Sequence, residues 1–82
     1  MSPKLRNVKI RTLVRALEKD GFELKRKSGS HKTYKHPERG TRITVSYHHS
    51  GETATPGLLQ EVIKAAGWTE ADLVRLRLMR KG

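Results

Sequence analysis

Three short alternating segments stand in the middle of this chain, and the brief turns between them limit the folds open to it. They read "FELKRK" (22–27), "HKTYKH" (31–36) and "TRITVSY" (41–47), parted by Ser28-Gly29-Ser30 and by Pro37-Glu38-Arg39-Gly40. Alternation over so few residues indicates strands with one covered face, and connections this short join only antiparallel neighbours. Gly29 supplies the positive φ that a tight hairpin needs. In the third segment Ile43, Val45 and Tyr47 share one face, and in the first Phe22 and Leu24 mark the covered side before the strand turns basic. The middle segment has Tyr34 as its one large apolar body, which places Tyr34 inward and His31, Thr33 and Lys35 on the open face. A one-residue slip, or a bulge at Gly29, reverses that assignment.

Helical periodicity brackets the strands. Ile10, Leu13, Val14 and Leu17 form an apolar stripe with Asn7 as its expected cap and Gly21 as its left-handed stop, while Arg11, Arg15 and Lys19 line another face. Further on, Thr55 caps a helix that has Pro56 at its first position, a stripe of Leu59, Val62, Ile63 and Ala66, and Gly67 as its end. A shorter helix follows, with Thr69 and Asp72 spaced as a capping box and Trp68 and Leu73 as a hydrophobic staple. Both main stripes must pack on the same face of so small a sheet. The expected fold is therefore α+β, in the order α-β-β-β-α, a three-stranded antiparallel sheet packed on two helices plus a short C-terminal helix. It forms one domain, 1–82, with a core of about 4–67, a helical extension over 68–82, and "RLMRKG" as a frayed basic end.

The chain has 82 residues and no cysteine, which rules out disulfide staples and thiolate metal sites. No apolar run approaches the about 20 residues that span a bilayer, and "MSPKLRNVKIR" lacks the apolar centre of a secretory signal. A soluble, cytoplasmic protein with no membrane partner is expected. Its formal net charge is +10, and residues 1–42 carry 13 of the 18 Lys and Arg against Glu18, Asp20, Glu23 and Glu38. Such a field concentrates polyanions at one end of the molecule, so nucleic acid or an acidic protein is the expected partner. The candidate RNA contacts are Arg11, Arg15, Lys25, Arg26, Lys27, Ser30, Lys32 and Lys35.

Four histidines, His31, His36, His48 and His49, raise the question of a metal. Their spacing matches no zinc pattern, and adjacent His48 and His49 point to opposite sides of a strand, so no metal or cofactor is expected. RNA cleavage suits the inventory better. A 2′-hydroxyl attacks its neighbouring phosphodiester once one group removes its proton, another protonates the departing 5′-oxygen, and cations stabilise the doubly charged transition state. Imidazole exists in either protonation state near neutral pH, and Lys27, Lys32, Lys35 and Arg26 offer fixed charge around His31. His36, His48 and His49 are candidate accessory groups. The residues alone leave two other readings open: a noncatalytic module that binds double-stranded RNA by its shape, and a small basic component of a ribonucleoprotein particle.

Read together, these pieces resemble the HicA toxins of HicA–HicB toxin–antitoxin pairs. The resemblance rests on an apolar helix ending at Asp20-Gly21-Phe22, then Gly29-Ser30-His31 followed by Tyr34 and His36-Pro37. A strand, a histidine, and Pro56-Gly57 opening a helix that closes at Ala66-Gly67 complete it. It implies a double-stranded-RNA-binding-domain-like fold and the toxin component of a type II system, a metal-independent endoribonuclease (mRNA interferase) with His31 as its catalytic general acid or base. It also implies a HicB-like antitoxin that covers His31 and the basic surface around it. Ser46 stands where the family commonly has Pro, the family's later histidine matches either His48 or His49, and Trp68–Gly82 lies mostly beyond the shared pattern. That segment is either antitoxin contact surface or an extra helix over the core.

Overall fold

The computed structural model describes residues 8–49 and 51–78. Its elements run α1 (Ile10–Lys19), β1 (Glu23–Ser28), β2 (His31–Lys35), β3 (Arg42–Ser46), α2 (Pro56–Ala66) and α3 (Glu70–Arg75). The expected α+β architecture in α-β-β-β-α order, with a short third helix, is what the chain adopts.

The N-terminus of α1 is closed without a side-chain cap. Lys9 occupies the cap position, Asn7 lies outside the described residues, and the Ile10 N–H donates to the Glu52 carbonyl at 2.8 Å. A bridge between Lys9 and Thr53, with the Ala54 N–H on the Val8 carbonyl at 2.7 Å, completes that junction. Backbone pairing thus satisfies one of the N–H groups left open at the helix start. The other helices begin as expected: Thr55 Oγ1 accepts from the Leu58 N–H at 3.2 Å, and Thr69 and Asp72 form a reciprocal capping box.

All three helices stop in the same way, with an N–H five residues on folding back to the last turn. Phe22 N–H reaches the Leu17 carbonyl at 2.9 Å, Trp68 the Ile63 carbonyl at 3.1 Å, and Leu78 the Leu73 carbonyl at 2.8 Å. This closure requires a left-handed residue just before that N–H. Gly21 (φ 104) and Gly67 (φ 71) fill the position in α1 and α2, whereas Arg77 (φ 64) fills it in α3. Leu78 is buried completely, so the loose end expected from Arg77 onward does not begin there; Met79–Gly82 lie outside the described residues.

The sheet is antiparallel in the order β1-β2-β3. Tyr34, Ile43 and Val45 face the helices and join Ile10, Leu13, Leu17, Leu59, Val62, Trp68 and Leu73 in one cluster, with Tyr47 packed against it. Leu24 departs from expectation. Although it pairs with Tyr34, it is 49% exposed, because β1 is an edge strand, every one of its residues is exposed, and α2 packs over β3 at the opposite edge. The one irregularity in the pairing lies between Leu24 and Arg26, a bulge at Lys25 rather than at Gly29. Since it sits in β1, it leaves the expected parity of β2 intact.

Candidate functional site

The register sorts the side chains of the sheet into two faces. On the open side, Ser28, His31 and Ser46 form one row across the strands, Arg26, Thr33 and Thr44 the next, and Glu23, Lys35 and Arg42 the third. Residues two apart on a strand stand about 6.6 Å from each other, which sets the spacing of these rows. His31 is exposed, as its parity with Thr33 and against Tyr34 requires. Gly29 (φ 57) occupies the first position of the two-residue loop before it, the sign that a tight hairpin turn demands, and the Tyr47 N–H on the Ser30 carbonyl at 3.0 Å ties the loop to the third strand. Among the described residues no side chain bonds to the His31 ring.

The expected cationic neighbours divide between the faces. Lys32 alternates to the helix side and its Nζ lies 3.9 Å from the centre of the Tyr47 ring, a cation–π contact. Lys27 pairs with Lys32 on that side. Neither stands beside His31 as the sequence suggested. Arg26 and Lys35 share the face of His31 and, with Lys25, Thr33 and Arg42, line a shallow basin of ≈ 320 Å³. Thr33 and Thr44 touch across β2 and β3, Oγ1 to Oγ1 at 3.2 Å. Arg11 and Arg15 project from α1, which packs on the other side of the sheet; Arg15 lines a separate groove of ≈ 240 Å³ with Thr12, Ala16, Lys19, Leu76 and Arg77. The candidate RNA contacts therefore occupy three surfaces, and the basin adds Thr33 and Arg42 to them, with the Thr44 hydroxyl against Thr33. Alternation around Ile43 and Val45 carried the signal for Arg42 and Thr44.

The four histidines separate as well. His36 is buried, and both its ring nitrogens are engaged: Nδ1 accepts the Arg39 backbone N–H at 3.3 Å, and Nε2 donates to the Asp20 carbonyl at 3.0 Å. That pattern requires the neutral ring with its proton on Nε2. The Phe22 ring meets it edge-on at 5.2 Å, and a Cβ on Gly21 would lie 2.8 Å from Nε2. Gly21 is thus required twice, for its φ and for the approach of this imidazole. His48 and His49 follow β3 in a loop rather than continuing the strand. Their backbone N–H groups both donate to Glu52 Oε1 at 2.9 Å, and these bonds hold the Glu52 carboxyl below its ordinary value. The loop lies at the His31 end of the sheet, one residue beyond the Tyr47–Ser30 bond. Burial, with Tyr47 beside it, holds the Tyr34 phenol well above the ordinary tyrosine range. It does not titrate near neutrality. Among the described residues no three His, Asp or Glu side chains converge as a metal site would require.

Behind the sheet a carboxylate joins the helices. Asp20 Oδ2 accepts from the Trp68 indole N–H at 2.9 Å and from Arg39 Nη1 at 3.1 Å, while Oδ1 accepts from Arg75 Nη2 at 3.3 Å. Burial opposes its charge, yet the Trp68 bond and the two guanidiniums outweigh that effect and hold the carboxyl below its ordinary value.

The fold is a small basic α-β-β-β-α domain with its helices on one face of the sheet and a histidine and cations on the open one. Residues 10–68 match the family described as the HicA toxin of bacterial toxin–antitoxin systems. The match covers most of the chain, which therefore belongs to the HicA toxin family and is the toxin of a pair with a cognate antitoxin. A comparison with curated proteins finds no match. Among the described residues no helix is long and apolar enough to cross a membrane.

Proposed function

We propose that this toxin is a metal-independent endoribonuclease that cuts mRNA in the cytoplasm, with His31 moving the proton. The observation that supports the reading most is the position of His31: exposed, flanked by Ser28 and Ser46, and on the face that carries Arg26, Lys35 and Arg42. In the reaction the 2′-oxygen bonds to phosphorus as the bond from phosphorus to the 5′-oxygen breaks. The proton leaving the 2′-hydroxyl is balanced by one arriving on the 5′-oxygen. An imidazole serves as the base for the first transfer or the acid for the second. Attack within the substrate needs no metal to generate a nucleophile, and fixed cations meet the charge that builds on the phosphoryl oxygens. The antitoxin neutralises the protein by covering His31 and the cations of its face.

The test compares purified protein and a His31→Ala variant on RNA in EDTA. The wild-type chain cleaves and leaves 2′,3′-cyclic or 3′-phosphate ends, while the variant is inert with an unchanged circular dichroism spectrum and melting temperature. DNA is bound and left intact. Cleavage that persists in the variant, depends on a divalent metal or leaves a 3′-hydroxyl overturns the assignment. Binding without cleavage by the wild-type chain returns it to a noncatalytic RNA-binding module.

A further inference from the structure

A transition state with two negative charges needs cations on the face of the proton carrier, and the chain neighbours of His31 are not there. The bulge at Lys25 determines which residues are. Strict pairing onward from Leu24 and Tyr34 would put Lys25 across from Thr33 and Lys27 across from His31. The extra residue moves each position by one, so that Arg26 stands across from Thr33 and Ser28 across from His31. Lys27 is thereby turned to the helix side, and the row beside His31 receives a guanidinium and two hydroxyls.

We infer that the basin on this open face is a phosphate seat for the RNA residue next to the one being cut. The inference rests on the proposed ribonuclease reading and adds the residues that hold the strand. The hollow begins one row from His31, a separation comparable to that of successive phosphates in a single strand. Arg26 stands nearest the histidine, with Lys35 and Arg42 on the far row. Among the described residues no carboxylate pairs with these three cations; Glu23, at the far row, is held by Lys25 Nζ at 3.0 Å. Between the rows the two threonine hydroxyls share one hydrogen bond. Two hydroxyls carry two hydrogens, so one remains to donate to a non-bridging phosphate oxygen. Cations that touch phosphate, together with a neutral donor at the floor, recognise a phosphodiester without reading its base.

The experiment measures binding of a labelled hexadeoxynucleotide by fluorescence anisotropy across a salt series. The oligomer lacks the attacking hydroxyl, so the measurement does not depend on catalysis. Lys35→Gln and Arg42→Gln each reduce the slope of log affinity against log salt by about 0.7, the value for one phosphate contact on a single strand. Thr44→Val weakens binding several-fold at constant slope. Lys27→Gln, adjacent to Arg26 in the chain but on the other face, reduces the slope less than either basin change. Equal losses for Lys27→Gln and Arg42→Gln, or no loss at Lys35 and Arg42, overturn the seat even where His31→Ala abolishes cleavage. Persistent cleavage by His31→Ala overturns the catalytic role and leaves the seat standing if the slopes behave as stated.

Discussion

Ser28 stands across the pairing of β1 with β2 from His31, and its small side chain leaves the imidazole open to approach from above. Ser46 does the same on the β3 side. A polymer can lie across this row, and a protein laid over its middle covers the histidine.

The proposed function expects RNA and antitoxin to exclude each other. In a competition titration the antitoxin displaces a bound oligonucleotide completely, and its association rate falls steeply with salt, because steering toward a strongly basic partner is screened. A stable complex containing both partners, with RNA still on the His31 face, would refute occlusion.

Removing His36 damages the fold where removing His31 does not. His36→Ala deletes a buried ring and leaves the Asp20 carbonyl and the Arg39 N–H without partners, a loss of about 2–4 kcal/mol. In a domain of this size the melting temperature falls by roughly 10–25 °C. Equal melting temperatures for the wild-type chain and His36→Ala would show that the buried imidazole contributes nothing to stability.

Asp20 makes the domain acid-sensitive. Its folded pKa lies below the ordinary 3.8, because the Trp68 bond and the charges of Arg39 and Arg75 outweigh burial. A carboxylate depressed by folding adds stability above its unfolded pKa, and that stability is lost as pH falls through the unfolded value toward the folded one. Asp20→Asn accordingly melts below wild type at neutral pH, and the gap narrows as pH falls through the ordinary carboxylate value toward the lower folded one. A gap that stays constant with pH would mean that the charge of Asp20 is immaterial.

Arg77 is the left-handed stop of α3, the position that glycine fills in α1 and α2. A side chain in that conformation costs roughly 1 kcal/mol. Arg77→Gly raises the melting temperature by at most about 4 °C, because the freer unfolded chain offsets roughly half or more of the relieved cost. A lower melting temperature would show that contacts of the guanidinium in its groove matter more than the backbone.

Much of this arrangement was legible in local pattern. The Thr55-Pro56 start, the Thr69–Asp72 box and the apolar stripes are short-range signals, and one inward tyrosine was enough to place His31 on the open face. The bulge was not legible, because β1 has Leu24 as its single apolar side chain and exposes all of its residues, so no core contact records its register. Misplacing Lys27 and Lys32 beside His31 followed from treating chain neighbours as spatial ones. His36 has the inward parity of Tyr34, but what holds it, the Asp20 carbonyl and the edge of Phe22, comes from another part of the chain. The bond from Trp68 to Asp20 joins residues 48 apart and leaves no local trace.

The indole held by Asp20 also determines what light can reveal about this molecule. Trp68 is the single tryptophan of the chain, and it lies in the core on the helix side of the sheet, with its N–H on a carboxylate. Its emission follows the docking of α1, α2 and α3 and shifts to the red when they separate. A ligand on the open face changes nothing around that ring. Intrinsic fluorescence is consequently a thermometer of folding rather than of RNA, and a flat titration curve is what an occupied open face produces.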